Sequence, residues 1–343
     1  MKVGILTGGG DAPGLNAVIR AVVRRSINYG NEVIGVRHGW DGLINGSYVH
    51  LDLNAVSGIL PRGGTVIGTS RVNPYKVKDG VKKVKESMER NGLEALIAVG
   101  GEDTLGAAYS LYRDISLPVI GVPKTIDNDI PCTDYTFGFD TAVNIATEAI
   151  DRLHTTAESH DRIMVVEVMG RHTGWIALHS GMAGGADCIL VPERPFRMDD
   201  VAELINRRHR RGKSFSIVVV AEGAVPQEIG TEVKVSEEVD SFGHVRLGGV
   251  GYYIAKRLEE LTGFETRTVV LGHLQRGGTP TAFDRVLATR FGVAAADLAF
   301  QKDFGKMVVL RGNRIYTERL ERITEGIKKI DLELYDLASV FFG

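Results

Sequence analysis

The chain has 343 residues, of which 43% are hydrophobic and 24% are charged, and its formal net charge is −2. This length is enough for two domain-sized cores, and the near-neutral charge argues against a nucleic-acid partner. No apolar run reaches the roughly 18 residues of a membrane helix, the two cysteines form neither a disulfide framework nor a metal motif, and the N-terminus lacks a signal-peptide cleavage pattern, so we expect a cytoplasmic enzyme.

Short β-branched runs alternate with helical patterns along the chain. Residues 3–6 form the first expected strand, and an amphipathic helix is expected over 17–26. Further expected strands cover residues 32–36, 95–99, 119–122, 163–168, 188–191, 216–221 and 266–271. Several are apolar on both faces, which is typical of a parallel sheet covered by helices on each side. The sequence therefore predicts an α/β fold with doubly wound, mainly parallel sheets, and a polar insertion or hairpin at residues 227–243.

The loop after the first strand reads GGGDAPGLN at residues 8–16. Ligands of parallel sheets bind at the carboxyl ends of the strands, and glycine there permits close approach of the backbone to an anion. The loop fits neither the Walker A pattern nor the glycine spacing of dinucleotide sites. A tight turn without a ligand is the alternative.

A second glycine loop follows residues 95–99 and reads GGEDT at residues 100–104. It carries two adjacent carboxylates, Glu102 and Asp103, which would repel a phosphate. Two explanations are open: a metal ion lies between carboxylate and phosphate, or one carboxylate excludes part of a larger ligand.

A third loop, PKTIDND at residues 123–129, concentrates titratable groups after a buried strand. Asp127 and Asp129 are two residues apart, so in an extended segment they share a face and could hold a metal or divide base and positioning roles. A solvated turn is the alternative, because Asn and Asp are common turn residues.

Three further loops bring glycine together with arginine and other polar residues, at residues 169–172, 222–223 and 272–280. Arginine beside glycine at a strand end suits a phosphorylated substrate, because the guanidinium binds phosphate through two parallel hydrogen bonds. Each arginine taken alone could instead form a surface ion pair.

Five motifs in order carry a family resemblance: GGGDAPGLN at 8–16, GGTVIGTSR at 63–71, PKTIDND at 123–129, VEVMGR at 166–171 and GHLQRGG at 272–278. Together they resemble the 6-phosphofructokinases, and the match runs from residue 1 to about residue 300. The resemblance implies phosphoryl transfer, with Mg²⁺, from a polyphosphate donor to O1 of fructose 6-phosphate. The product would be fructose 1,6-bisphosphate.

The resemblance also implies roles for individual residues. Asp127 would be the base that takes the proton of the sugar hydroxyl, Thr125 would seat the reacting oxygens, and Arg171 would neutralise charge on the transferring group. Together with Thr125 and Asp127, the family's sugar-phosphate site is matched by Arg162, Met169, Gly170, Arg171, Glu222, Arg267, His273 and Arg276. In that family the positions of Arg162 and Arg267 come from a neighbouring subunit, which implies a homodimer or homotetramer with shared sites.

On the donor side, the family's phosphate-binding positions are matched by Gly10, Arg71, Gly101, Glu102, Asp103 and Thr104, with Glu102 where a metal-binding aspartate is usual. ATP-using members usually carry glycine at the positions of Asp103 and Lys124. The charged pair in this chain resembles the pyrophosphate-dependent members.

Electrostatics agrees with that interpretation. A carboxylate about 4 Å from a nucleotide α-phosphate would cost on the order of 1 to 4 kcal/mol, and its side chain would fill the same space. Lys124 could bind the charge of a diphosphate in catalysis, although Asp103 and Lys124 could also simply pair with each other. The resemblance thus favours a reversible diphosphate-dependent phosphotransferase, with an ATP-dependent 6-phosphofructokinase as the alternative.

The resemblance further implies two domains with the active site in the cleft between them. The phosphoryl-donor domain would comprise residues 1–139 plus about 275–323, and the sugar-phosphate domain residues 140–274 plus about 324–343.

Overall fold

The computed structural model describes residues 1–231, 234–239, 245–247 and 249–343. The chain divides into two compact units. Unit 1 comprises Met1–Thr141 and Arg276–Ile327, and unit 2 comprises Ala142–Gln275 and Lys328–Gly343. The polypeptide therefore passes between the units three times.

Unit 1 contains an eight-stranded sheet. Its strands are β1 (Lys2–Thr7), β2 (Glu32–Val36), β3 (Tyr48–His50), β4 (Ala95–Gly100), β5 (Val119–Thr125), β6 (Phe137–Gly138), β13 (Lys306–Arg311) and β14 (Arg314–Arg319). Their order is β14-β13-β5-β4-β1-β2-β3, and β6 pairs with the end of β5. The ladders from β13 to β2 are parallel, whereas β14 and β3 pair antiparallel with their neighbours at the two edges.

Helices cover both faces of this sheet. They are α1 (Leu15–Asn28), α2 (Gly39–Asn45), α3 (Gly80–Arg90), α4 (Glu102–Ile115) and α9 (Ala282–Gln301), with short 3₁₀ helices at Pro74–Lys76 and Leu320–Glu325. Successive residues of β4 enter different cores: Ile97 packs with α1 and α9, and Leu96 packs with α2, α3 and α4. A strand buried on both faces must be apolar at every position, which is why β4 reads as an unbroken hydrophobic run.

Unit 2 contains a four-stranded parallel sheet in the order β12-β7-β9-β8. These strands are β7 (Ile163–Val168), β8 (Cys188–Leu190), β9 (Ser216–Ala221) and β12 (Thr266–Val270). The helices are α6 (Trp175–Ala183), α7 (Met198–Arg210), α8 (Val250–Thr262) and α10 (Leu332–Ser339), while α5 (Phe139–Ser159) begins in unit 1 and continues into unit 2. Residues of α7 and α8 share one core with β7 and β9, and α6 packs against β8 and β9.

The predicted α/β class with doubly wound, mainly parallel sheets is confirmed. Every strand expected from the sequence is present, whereas β3, β6, β13 and β14 were not predicted. Of the expected insertion at 227–243, residues 232–233 and 240–243 lie outside the described residues, and the described part includes β10 (Lys234–Val239), which pairs antiparallel with β11 (Val245–Leu247). None of the helices in the described part of the chain has the length and hydrophobicity needed to cross a bilayer.

Candidate active site

Three of the predicted loops lie at one edge of the unit 1 sheet. Strands β1, β4 and β5 are neighbours and run parallel, and their register sets Thr7 beside Val99 and Gly100 beside Pro123. The loops that follow these strands therefore share the carboxyl edge, where ligands of such sheets bind. This edge holds the donor-side residues predicted from the sequence and the Thr125–Asp127 pair.

Thr104 explains two of the glycines at this edge. The side chain of Thr104 is buried, and a Cβ added to Gly8 would lie 2.6 Å from its Oγ1. A Cβ at Gly100 would collide with the same side chain. Close packing alone thus requires glycine at these two positions, while Gly9 needs it for its positive φ of 78°.

Arg276 belongs to unit 1 and lies against the first glycine loop. Its guanidinium donates a hydrogen bond of 3.1 Å to the carbonyl oxygen of Asp11, and a Cβ at Gly10 would come within 2.7 Å of it. The structure therefore puts Arg276 beside the first glycine loop, which the resemblance predicts to bind the donor, although the resemblance implies a sugar-phosphate role for Arg276. Glycine at position 10 is what lets this guanidinium approach the loop backbone.

Lys124 is a buried cation in the same place. Its side chain is 3% exposed, and its ammonium donates a hydrogen bond to the carbonyl oxygen of Gly10. Burial, with a smaller effect of the charge of Arg276, lowers the pKa of Lys124 to about 7 against the opposing effect of the carboxylates of Asp11 and Asp127. The Gly10 carbonyl therefore holds this side chain by a hydrogen bond, in addition to the charged groups around it.

Thr125, Asp127 and Asp129 form a connected set after β5. The hydroxyl of Thr125 accepts a hydrogen bond of 3.0 Å from the backbone N–H of Asp127 and also bonds to the carboxyl of Asp129. Burial, with smaller effects of the charges of Asp127 and Glu102, raises the pKa of Asp129 to about 7. The raised pKa favours the protonated form of this carboxyl, next to the proposed base.

Asn128 fixes the shape of this loop. It is fully buried with a positive φ of 51°, and its side-chain oxygen accepts a 3.0 Å hydrogen bond from the backbone N–H of Thr136. The hydroxyl of Thr136 in turn donates to the carbonyl of Thr125 at 2.8 Å. These contacts hold the carboxylates on either side of Asn128 in a defined direction, so the alternative of a simple solvated turn does not describe this segment.

Glu102 and Asp103 occupy the first turn of α4. A helix N-terminus carries partial positive charge, and carboxylates there gain about 0.3 to 1 kcal/mol each. The helix therefore tolerates the acid pair without any ligand. Arg71, on the loop before α3, is exposed, and its charge lowers the pKa of the nearby Lys124.

In unit 2, the loops after β7, β9 and β12 meet at one edge of the sheet. The backbone N–H of Glu222 donates to the carbonyl of Val168 at 2.9 Å, and that of Gly223 donates to Gly170 at 3.1 Å. Gly170 has a φ of 140°, and a Cβ there would lie 2.6 Å from the carbonyl oxygen of Thr173. Five of the ten predicted sugar-phosphate residues share this edge: Met169, Gly170, Arg171, Glu222 and His273.

Arg162 and Arg267 lie at the opposite edge of that sheet. Arg162 immediately precedes β7 and Arg267 is the second residue of β12, at the amino ends of two strands that pair in register. Both guanidinium groups form ion pairs with Glu265, that of Arg162 at 2.8 Å. A strand of six residues spans roughly 20 Å, so these two arginines do not join the other sugar-phosphate residues of unit 2.

Sequence reasoning did not assign two residues that the structure brings to these edges. Asp129 was recognised only as a partner of Asp127, and its raised pKa depends on burial, which the sequence does not report. Gln275 lies inside the GHLQRGG motif, yet its fully buried side chain accepts a 3.2 Å hydrogen bond from the backbone N–H of Met169. An uncharged residue in a polar motif gave no signal of this contact.

A family model described as Phosphofructokinase matches residues 2–299. The chain belongs to the phosphofructokinase family. Among its relatives, the pyrophosphate–fructose 6-phosphate 1-phosphotransferase of Streptomyces coelicolor is 59% identical over 344 residues and the match covers 100% of both chains. The ATP-dependent 6-phosphofructokinase 3 of the same species is 56% identical, covering 96% of both chains.

A solved structure supports the same assignment. The crystal structure of Pichia pastoris phosphofructokinase in the T-state matches this phosphofructokinase with a TM-score of 0.84 and 33% sequence identity. The match covers 99% of this chain and 36% of the yeast chain, so this chain spans about a third of that polypeptide. The expected family and its α/β fold are thereby confirmed. Relatives named for either donor are nearly equally similar, so identity alone does not decide between diphosphate and ATP.

Proposed function

We propose that this phosphofructokinase is a diphosphate-dependent enzyme that converts fructose 6-phosphate and diphosphate to fructose 1,6-bisphosphate and phosphate, reversibly. The observation that carries the proposal is the buried ammonium of Lys124 at the donor loops, bonded to the Gly10 carbonyl. The similarity to relatives named as pyrophosphate-dependent supports it. A cation buried in that place suits a small, densely charged donor.

The chemistry follows from the loop after β5. The carboxylate of Asp127 takes the proton from the O1 hydroxyl of fructose 6-phosphate, and that oxygen forms the new bond to phosphorus while the bridging P–O bond of diphosphate breaks. The Thr125 hydroxyl, fixed by the Asp127 amide, orients the reacting oxygens. Arg171 balances charge on the transferring group. Phosphate leaves toward Lys124.

We place Mg²⁺ with the donor, held by the carboxylate of Glu102. The charges of Glu102 and Asp127 raise the pKa of Asp129, so the three carboxylates lie close enough to repel one another. A cation between them would relieve that repulsion. Mg²⁺ prefers oxygen ligands and keeps several waters, taking only one or two carboxylates beside phosphate oxygens. This agrees with the finding that the described residues contain no group of three side chains arranged as a complete metal cage. When bound, Mg²⁺ would neutralise charge on the donor phosphates.

Asp103 is proposed to exclude ATP. A carboxylate near the nucleotide α-phosphate would cost on the order of 1 to 4 kcal/mol, or roughly fivefold to several hundredfold in preference. Diphosphate has no third phosphoryl group and need not reach that position. Gly10, Gly101 and Thr104 complete the donor loops, with Arg71 nearby.

The alternative, an ATP-dependent 6-phosphofructokinase, is favoured by the ATP-dependent relative at 56% identity. The test is an assay of the purified protein with fructose 6-phosphate and Mg²⁺, once with diphosphate and once with ATP. We expect turnover with diphosphate to dominate by at least about tenfold. A large preference for ATP would refute the proposal.

A matched pair of variants tests the two residue roles separately. Asp103→Gly should raise ATP use while leaving diphosphate use largely intact, because only the repulsive group is removed. Lys124→Gly should collapse diphosphate use, because the cation is lost. Unchanged kinetics with both donors in the double variant would contradict both assignments.

Unit 1 is proposed as the donor-binding domain and unit 2 as the sugar-phosphate domain of a cytoplasmic homodimer or homotetramer. Arg162 and Arg267, at the amino edge of the unit 2 sheet, would each reach the sugar phosphate of a neighbouring subunit. Their common partner Glu265 keeps both guanidinium groups on that edge.

A further inference from the structure

Gln275 is a fully buried amide between two loops of unit 2. It lies in a 3₁₀ helix, Gly272–Arg276, which follows β12. Its side-chain oxygen accepts a 3.2 Å hydrogen bond from the backbone N–H of Met169, and its side-chain N–H donates a 3.0 Å hydrogen bond to the carbonyl of Gly272. The amide oxygen therefore acts as an acceptor and the amide nitrogen as a donor, and both are hydrogen-bonded.

The bridge begins where the sheet ladder stops. Strands β7 and β12 pair up to Glu167 and Val270, and the last backbone contact is the N–H of Leu271 donating to the Glu167 carbonyl at 3.0 Å. Beyond that point the two segments leave the sheet and continue as loops. The Gln275 side chain bonds to Met169 beyond that point, so the amide continues the connection between the two segments after the backbone ladder has ended.

Residues with proposed substrate roles are attached to both sides of this bridge. Met169 begins the loop that carries Gly170 and Arg171, and His273 lies within the same short helix as Gln275. An error in the spacing of the two loops would therefore move several substrate contacts together. Misplacement by about 1 Å can reduce the rate by as much as a hundredfold.

We propose that Gln275 is a positioning residue that holds the Met169–Arg171 loop in register with the Gly272–Arg276 helix, and so shapes the sugar-phosphate site without touching the substrate. The proposal deepens the function proposed above and rests on it for the identity of the sugar phosphate. A buried amide is suited to this task because its bond to Gly272, inside the same helix, fixes the amide's orientation, while its bond to Met169 is lost if either loop shifts.

The test uses two variants of Gln275 and one control. Gln275→Met has a similar length and loses both hydrogen bonds, whereas Gln275→Glu keeps the acceptor for the Met169 N–H and loses the donor to Gly272. The control is Asp187→Asn, another buried polar group of unit 2, which accepts a 2.9 Å hydrogen bond from Ile217 at the amino edge of the same sheet. The asparagine keeps an acceptor for the Ile217 N–H but loses the 3.0 Å ion pair of Asp187 with Arg208, so the control removes a buried contact away from the loops.

We expect the KM for fructose 6-phosphate to rise about tenfold or more in Gln275→Met, with a smaller rise in Gln275→Glu and none in Asp187→Asn. Amide hydrogen exchange at Met169 should accelerate strongly in the methionine variant and only slightly in the glutamate variant. Equal KM in wild type and Gln275→Met, or unchanged exchange at Met169, would overturn the proposal. An equal rise of KM in Asp187→Asn would also overturn it, since general destabilisation would then explain the effect.

The exchange measurement keeps this inference separate from the proposed function. If the wild-type protein phosphorylates fructose 6-phosphate with neither donor, the proposed function fails. Exchange at Met169 in the same variants still reports whether Gln275 holds the loop.

Discussion

Lys124 should destabilise the folded protein near neutral pH, and replacing it should reveal the penalty. Burial is the main cause that lowers its pKa from 10.5 to about 7. At 1.36 kcal/mol per pKa unit, this is on the order of 5 kcal/mol against the charged form. Because the folded pKa lies below the unfolded one, the penalty is complete below about pH 7, shrinks as the pH rises toward 10.5 and vanishes above it.

We therefore expect Lys124→Met to be more stable than wild type at pH 7, by up to that amount, and to lose its advantage as the pH approaches 10.5. Denaturant unfolding at several pH values measures the difference, with stability taken from the midpoint and slope. A gain in stability combined with loss of turnover is the usual signature of a residue kept for function. A stability difference that does not change with pH would contradict the assigned titration.

The same titration predicts that diphosphate binding takes up a proton. Near pH 7 about half of the Lys124 side chains are charged, and an anionic ligand binds the charged form, so binding should take up about half a proton per site there and close to one near pH 8. Calorimetry in two buffers of different ionisation enthalpy measures this uptake. Lys124→Met is the control, because it retains any proton exchange of diphosphate itself. Equal uptake by wild type and variant would refute the role of this lysine.

Three further results are expected. Asp129→Asn should stabilise the protein by roughly 1 to 4 kcal/mol above about pH 7 and should have no effect below about pH 4. The reason is that the raised pKa of Asp129 in the folded protein makes its charged carboxylate unfavourable there. Thermal unfolding at a pH in each range measures the difference. Glu102→Gln should raise the Mg²⁺ concentration needed for half-maximal activity about tenfold or more, seen in a metal titration at fixed donor. Unfolding the inactive Arg171→Ala and Arg267→Ala proteins, mixing them and refolding them together should restore activity to up to about a quarter of the sites if each site is shared between two subunits. No recovery of activity would argue for sites built from one chain.

The strands that could be predicted are those buried on both faces, because burial imposes an apolar run that is visible without tertiary information. β14 is an edge strand with an exposed, charged pattern, Arg314–Arg319, and β6 has only two residues. β13 joins the sheet beside β5 after the chain has passed through unit 2. Such a long-range pairing leaves no local signal in the sequence.

The loops could be located from the sequence, but the neighbours of each side chain could not. The basic run at residues 207–211 gives no sign of burial in the sequence, yet the Arg208 side chain is largely buried and pairs with Asp187 at 3.0 Å. In the same way, the position of Arg276 against Asp11 joins residues 265 positions apart. Motif type indicates which residues can do chemistry, whereas burial and charge pairing depend on contacts that only the folded chain defines.

The acid pair at Glu102 and Asp103 illustrates how the local and the functional explanation combine. The N-terminus of α4 would by itself attract phosphate, since its free N–H groups and dipole favour anions. Two carboxylates in the first turn weaken that attraction. We infer that attraction for the donor has moved to the buried ammonium of Lys124, across the sheet edge on β5. Glycine at position 103 would restore part of the attraction of this helix end for phosphate. We therefore expect Asp103→Gly to gain ATP use, provided that the rest of the loop is unchanged.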